Sequence, residues 1–286
     1  MMRESCAKEV NLYSLSKEEL IDKINGLNNK INMQENFMLN IVHDLKNPIN
    51  IILSILQCMK YTDGEEAKEK RQEYREMIKK NGLKMIKLIN NLIDSSKLEG
   101  NNYNLEKRKI DIVSLVENTV MSIEKYAEQK QIQLVFDTNV EECVMIVDIE
   151  AIERIVLNLL SNSIKFSSRD KEILTYVHVQ DNQVRISVKD SGRGIPESEQ
   201  KNIFNRFIQS ENNKKREDGG SGIGLDLVNY LTKLHGGTVE LKSKEGEGSE
   251  FTIVLPRNEI IEDNVDYRLI SNNSEQLEIE FSDVYL

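Results

Sequence analysis

Phe37-Met-Leu-Asn-Ile-Val-His-Asp-Leu-Lys-Asn-Pro48 lies inside a longer run whose apolar residues recur in alternating steps of four and three. The series is Leu20, Ile24, Leu27, Ile31, Met38, Ile41, Leu45, Ile52, Ile55 and Met59, with Gln34 and Pro48 filling its two gaps. That spacing predicts a heptad seam on one helix from about Leu12 to Met59. The polar stretch Tyr61-Thr-Asp-Gly-Glu-Glu66 then breaks the pattern and reads as a helix–helix loop. A second helix follows to about Leu98, with Tyr74, Ile78, Met85, Leu88 and Leu92 facing inward, and Gly100-Asn-Asn ends it. Two helices cannot bury an apolar seam alone. An antiparallel hairpin paired with a second copy predicts a homodimer built on a four-helix bundle.

With Met38 and Leu45 on the seam, His43 points away from it, toward solvent. An exposed neutral imidazole is a competent nucleophile. Asp44 follows directly, placed to hold one ring N–H and take its proton as the other nitrogen attacks. Asn47 lies one turn further on, where its amide can orient a water. Pro48 cannot donate to the carbonyl of Asp44, so the helix is expected to loosen beside this site. A solvated polar face on a bundle helix would carry an isolated histidine equally well.

The rest of the composition narrows the classes. The chain has 286 residues, a net charge of −10 from 38 basic and 48 acidic side chains, and 39% hydrophobic residues. Such an acidic balance argues against nucleic acid as the main partner. No apolar run is long enough to span a membrane, and Met1–Leu20 holds no signal-peptide core, so a cytoplasmic location is expected. Cys6, Cys58 and Cys143 lie far apart without metal spacing and read as reduced thiols, two of them buried.

From about Lys107 the texture changes. Asp111–Gln129 reads as helix, Ile132–Phe136 and Val144–Val147 as strands, and Ile149–Phe166 as a strong helix with Asp148 as its N-cap. Thr175–Val179 and Val184–Asp190 alternate like paired strands. A short helix, Glu197–Phe207, follows Pro196, and another covers Leu225–Leu234. Thr238–Ser243 and Glu250–Leu255 close the domain as strands. The order mixes strands and helices around one sheet, an α/β sandwich. The acidic tail from Arg257 to Leu286 contains one further candidate strand, Leu277–Phe281. The expected division is a helical leader at 1–35, a helical domain at 36–100, a sandwich at 105–257 and the tail at 258–286.

Several segments of the sandwich carry chemistry. Asn158, Asn162 and Lys165 fall on one stripe of their helix, while Ile152, Val156, Leu159, Leu160 and Ser163 fall on the other side. Amide oxygens suit Mg²⁺, and Lys165 offers a point charge for phosphate. Asp190-Ser-Gly192-Arg-Gly194-Ile-Pro196 puts a carboxylate at a strand end before a flexible turn. Such a carboxylate can accept from an exocyclic amine, and the glycines allow close backbone approach. Gly219-Gly-Ser-Gly222-Ile-Gly224-Leu lies just before a helix, a natural phosphate cradle. It is neither a P-loop nor a dinucleotide fingerprint. Gln209–Gly220 reads as a mobile lid, and Gly246-Glu-Gly-Ser-Glu-Phe251 as a turn into the last core strand.

Taken in order, these segments resemble those of the sensor histidine kinases of two-component systems, over roughly residues 35 to 256. The His43 segment resembles the H box, Asn158–Phe166 the N box, Asp190–Pro196 the G1 box, Ile203-Phe-Asn-Arg-Phe207 the F box and Gly219–Leu225 the G2 box. The resemblance implies an α+β protein: a dimeric helical hairpin for phosphotransfer, then a Bergerat-type ATP-binding α/β sandwich. It implies ATP with Mg²⁺ at Asn162, and Asn158 beside it. Lys165 would touch phosphate, Phe166 would lie near adenine, and Asp190 with Gly192 and Gly194 would recognise the base. Gly220, Ser221, Gly222, Gly224 and Leu225 would line the triphosphate. It further implies autophosphorylation of His43, with Asp44 and Asn47 assisting, transfer to a response-regulator aspartate, and phosphatase ability toward that partner. Phe166 stands where the family often has Tyr, and Asn47 where Thr is commoner. Residues 1–35 show no input domain, a departure from the family pattern. A conformational ATPase of the Hsp90 or MutL kind, and a dimeric protein that sequesters a response regulator, are the rival readings.

Overall fold

The computed structural model describes residues 16–60, 67–99, 103–204, 223–257 and 274–284. The chain divides into two compact units, one ending at Asp44 and one beginning at Leu45.

In the first unit, helix α1 (Lys17–Met59) starts at a reciprocal cap. The Glu19 N–H donates to Ser16 Oγ and the Ser16 N–H donates to Glu19 Oε2. This satisfies two backbone donors that a helix start leaves orphaned. The pattern Ser16-x-x-Glu19 marks the start in the sequence, five residues after the Leu12 expected from periodicity alone. Many of the seam residues of this unit, Ile24, Leu27, Ile31 and Met38 among them, are exposed.

In the second unit, α1 continues through Pro48 to Met59, and α2 spans Ala67–Glu99. The sandwich then follows. Strand β1 (Lys107–Asp111) pairs antiparallel with β3 (Val144–Asp148). A five-stranded sheet has the order β2–β4–β5–β7–β6, from β2 (Gln133–Thr138), β4 (Glu172–Val179), β5 (Gln183–Asp190), β6 (Thr238–Lys244) and β7 (Gly248–Pro256). Only the β2–β4 pair is parallel. Helices α3 (Ile112–Ser122), α4 (Glu124–Gln129), α5 (Ile149–Phe166) and α7 (Gly224–Leu234) supply the second layer, and α6 is one turn, Glu197–Gln200.

Alternation decides which face meets the helices. In β5, Val184, Ile186, Val188 and Asp190 are buried, and their partners Leu255, Ile253 and Phe251 in β7 are buried with them. A strand presents every second residue to one face. Asp190 therefore occupies a core-facing position after three apolar ones, and its carboxylate is carried into the layer between sheet and helices.

Side-chain caps fix the helix starts. Asp111 accepts from the N–H groups of Val113 and Ser114 at the start of α3. Asp148 accepts from Ala151 N–H at the start of α5, as expected from the sequence, and from Glu106 N–H. His235 closes α7 with both ring nitrogens committed, Nδ1 to the Leu231 carbonyl and Nε2 accepting from Asp148 N–H. Burial lowers its pKa, which keeps the ring neutral.

The helix expected over 197–207 is shorter: α6 ends at Gln200, turns follow to 204, and 205–207 lie outside the described residues. Two further expectations change. Ile123 breaks the predicted helix 111–129 into α3 and α4. Leu277–Phe281 is not a strand: Ser274–Glu280 forms helix α8, with Leu277 and Phe281 buried. Their spacing of four is a helical repeat, and an isolated strand would have had no neighbour to pair with. Cys143 is buried but Cys58 is exposed, and Cys6 lies outside the described residues. So do the loop at 61–66, Gly100-Asn-Asn, the lid at 209–220 and the tail from 258 to 273.

Glu153, on α5, is pushed up to about 7 by burial, with Glu150 adding to the shift. A carboxyl raised in the fold holds its proton longer than the unfolded chain does, so stability falls as pH rises from about 4.5 to about 7. Urea denaturation across that window should show Glu153→Gln losing this slope and exceeding the wild type in stability at pH 8.

Candidate functional site

The first group of residues lies on α1. The His43 side chain is 72% exposed, and its Nδ1 stands 3.6 Å from Asp44 Oδ1. That distance suits charge pairing and is too long for a hydrogen bond. Asn47 is exposed and Pro48 buried. Of the three histidines, His235 is locked in the fold, as described above, and His178 stacks on Tyr176 within the sheet. His43 is thus the exposed imidazole.

The second group is built around α5. Its buried side includes Ile152, Val156, Leu159, Leu160 and Ser163, as the periodicity predicts. Beyond the first turn, the partly exposed positions are Glu153, Arg154, Asn158, Asn162, Lys165 and Phe166. Steps of four bring Arg154, Asn158 and Asn162 onto one open stripe. Asn158 Nδ2 donates to the Arg154 carbonyl at 2.9 Å, which commits the amide nitrogen and leaves Oδ1 as the acceptor. That oxygen lies against Gly224, the first residue of α7: a Cβ there would come within 2.6 Å of it. No side chain among the described residues caps α7 at Ile223, so the helix start beside Asn158 carries the positive end of the helix dipole without a side-chain cap. Leu225 packs partly into the core behind them. Gly220, Ser221 and Gly222 lie outside the described residues, as do Asn205, Arg206 and Phe207.

Asp190 ends β5 beside the last residue of α5. Its Oδ1 accepts from Gly192 N–H at 2.9 Å and Ser249 N–H at 3.3 Å, and Ser163 Oγ donates to Oδ2 at 3.4 Å. Burial raises its pKa, and these three bonds oppose the rise without cancelling it. The turn after it is held by backbone contacts too close for any side chain. A Cβ on Gly192 would stand 2.7 Å from the Phe166 carbonyl oxygen, and one on Gly194 (φ +68) 1.9 Å from that of Lys244. Gly248 (φ +108) presses on the Asp190 carbonyl in the same way, at 2.1 Å. The glycines therefore bring strand ends and helix end together, which larger residues would prevent. Arg193 lies over the Phe166 ring, 4.5 Å from its centroid.

Several positioning residues gave no signal in the sequence. Ser163 faces inward beneath an apolar stripe, yet its hydroxyl serves Asp190. Ser243 accepts from Ile195 N–H and donates to the Gly248 carbonyl, tying the Asp190 turn to the β6–β7 turn. Packing of α5 on the sheet brings Ser163 to Asp190, and the pairing of β6 with β7 brings Ser243 to the neighbouring turn; neither is readable from spacing.

A buried carboxylate with acceptor capacity to spare, an aromatic ring and a glycine-lined floor suit a planar base bearing an amine. The amide oxygens of Asn158 and Asn162 beside a helix N-terminus suit phosphate with a hard cation. Among the described residues no cluster of acidic, His or Cys side chains could hold a metal without such help. Lys165 has a partner already: its Nζ lies 3.1 Å from Asp283 Oδ2.

Residues 33–101 match the His Kinase A (phospho-acceptor) domain, and residues 147–259 match the histidine kinase-, DNA gyrase B- and HSP90-like ATPase. The circadian input-output histidine kinase CikA of Synechococcus elongatus is 30% identical over 86% of this chain. The chain spans 33% of that relative's length. Among solved structures, full-length ShkA in complex with AMPPNP has a TM-score of 0.58 at 23% identity, covering 78% of this chain and 46% of that one. Histidine kinase ThkA in complex with the response regulator protein TrrA has a TM-score of 0.59 at 18% identity, covering 86% of this chain and 68% of that one. These two likenesses concern the fold. No helix among the described residues is long and apolar enough to cross a membrane. With a phospho-acceptor domain and its ATPase domain following in order along one chain, the protein belongs to the sensor histidine kinases.

Proposed function

We propose that this chain is an ATP-dependent protein histidine kinase that phosphorylates His43 and passes the phosphoryl group to an aspartate of a response regulator. The observation that carries the reading is the pairing, in one chain, of an exposed imidazole on a long helix with a buried carboxylate in a glycine-floored cleft. Asp190 accepts the adenine amine, with Gly192 and Gly194 admitting the ring beside Phe166. Asn158 and Asn162 offer oxygens to Mg²⁺, which would neutralise phosphate charge when bound. The start of α7, with Gly224 and Leu225, meets the phosphates, and Gly220, Ser221 and Gly222 complete that cradle. Lys165 adds a positive charge.

The nitrogen of His43 turned from Asp44 attacks the terminal phosphorus. The N–P bond forms as the P–O bond to ADP breaks, and Asp44 takes the proton from Nδ1. Positioning and charge neutralisation supply most of the rate. Asn47 orients a water when the reaction runs as a phosphatase. The exposed apolar residues of α1 and α2, Leu53, Leu56, Ile86, Ile89 and Ile93 among them, exceed what a lone helix pair leaves open, which supports a homodimer. ThkA's complex with a response regulator supports that class of partner. ATP as substrate places the reaction in the cytoplasm. The working division is phosphotransfer domain 36–100 and ATP-binding domain 105–257.

Incubation with γ-labelled ATP should give an acid-labile, alkali-stable label on the wild type and none on His43→Gln; a label that persists in the variant overturns the assignment. Asp190→Asn keeps an oxygen for Gly192 and Ser249 but puts an amide where the base amine would donate. It should fold with unchanged or higher stability and bind nucleotide about ten- to a hundredfold more weakly by calorimetry, the range expected for losing a hydrogen bond to a charged group.

A further inference from the structure

The end of the chain supplies an ionic contact that the nucleotide reading does not use. Helix α8 and the turn after it bury Leu277, Phe281 and Val284, and Phe281 stacks on Tyr126 of α4 with ring centroids 4.8 Å apart. This apolar anchor fixes the acidic side of the segment. Glu278 meets Lys79 of α2 at 2.8 Å. Lys87, also of α2, takes Glu280 Oε1 at 3.3 Å and Asp283 Oδ1 at 2.6 Å. The second oxygen of Asp283 goes to Lys165 at 3.1 Å. One carboxylate thus bridges a lysine of the phosphotransfer helix and the lysine assigned to phosphate.

The contact is not a loose surface pair. The side chain of Lys165 is 6% exposed and that of Lys87 15%. Burial alone would raise the Asp283 pKa; the charges of Lys87 and Lys165 override it and hold the carboxyl well below the usual carboxylate range. Burial likewise opposes the charge on Lys87, and Asp283 with Glu280 raises its pKa instead. Asp283 is therefore an anion at every physiological pH, held where a phosphate oxygen would have to compete for the same ammonium.

We infer that residues 274–284 are an autoinhibitory latch: Asp283 occupies Lys165 in place of a nucleotide phosphate and ties α2 to the ATP-binding domain until nucleotide displaces it. The inference rests on the nucleotide reading of the cleft. Latched molecules bind nucleotide weakly, so the apparent affinity is reduced by the fraction unlatched. Weakening the latch removes that reduction.

Calorimetry with Mg²⁺ and AMPPNP on the full chain tests this. Asp283→Asn, which keeps the shape and removes the charge, and Phe281→Ala, which removes the anchor, should each bind about fivefold more tightly or better than the wild type, the lower range of ordinary coupling between sites. In parallel, amide exchange in the wild type should show Leu277 to Val284 losing protection when nucleotide is added. Tighter binding in Asp283→Asn with that protection unaltered is a general charge effect and overturns the latch. Equal affinities in all three proteins, with tail protection unchanged, overturn the latch and leave the nucleotide site standing. Failure of all three to bind AMPPNP overturns the nucleotide reading, and the latch with it.

Discussion

Asp190 is a carboxylate placed where the strand pattern calls for an apolar side chain, and the architecture of the cleft follows from accommodating it. Burying such a group without partners is costly, so its oxygens must find donors. They come from the Gly192 and Ser249 N–H groups and from Ser163, on three different elements. Gly192 can donate only because the turn lies flat against the end of α5. Ser249 can donate only because Gly248 lets β7 begin against the Asp190 carbonyl. One buried anion thus fixes the mutual placement of α5, the turn after β5 and the β6–β7 turn. A site held by packed backbone keeps its shape before any ligand arrives, which is what pre-organised binding requires.

The same economy governs α5. Its inner face is apolar apart from the buried Ser161 and Ser163, and its outer face carries the amides and the lysine. The two amides stay partly open to water, and the buried Lys165 charge is met by Asp283. Arg154 continues the stripe and pairs with Asp94 of α2. The helix therefore joins the cleft to the end of the phosphotransfer helix within one rigid element. Asp283 makes a second such connection through Lys87 and Lys165.

Much of this was legible beforehand. The helices with strong period, α5 and α7, and the capping role of Asp148 follow from spacing and cap chemistry, and the alternation in β4 and β5 sets their buried face. The ordered motifs singled out His43, Asn158, Asn162 and Asp190 as candidates. What escaped was decided by contacts between distant residues. Nothing local tells Ser163 from an ordinary small core residue, or Ser243 from a surface serine on an alternating strand. Leu277–Phe281 suits a strand by composition, and only the surface formed by Tyr126 and the neighbouring helices makes a helix the better way to bury it. The short β1 strand was also missed, because Lys107-Arg-Lys109 carries no apolar alternation and is recruited by pairing with β3.

The division of α5 into a greasy side and a working side also limits how this part of the chain can evolve. Each residue advances the helix by about 100°. A single insertion or deletion near its middle would swing Asn162 and Lys165 into the interior and turn leucines outward at one stroke. Replacement of residues can be absorbed there one position at a time, but a change in length cannot. Divergent copies of this gene should accordingly vary freely in the loops at either end of the helix while keeping its residue count fixed.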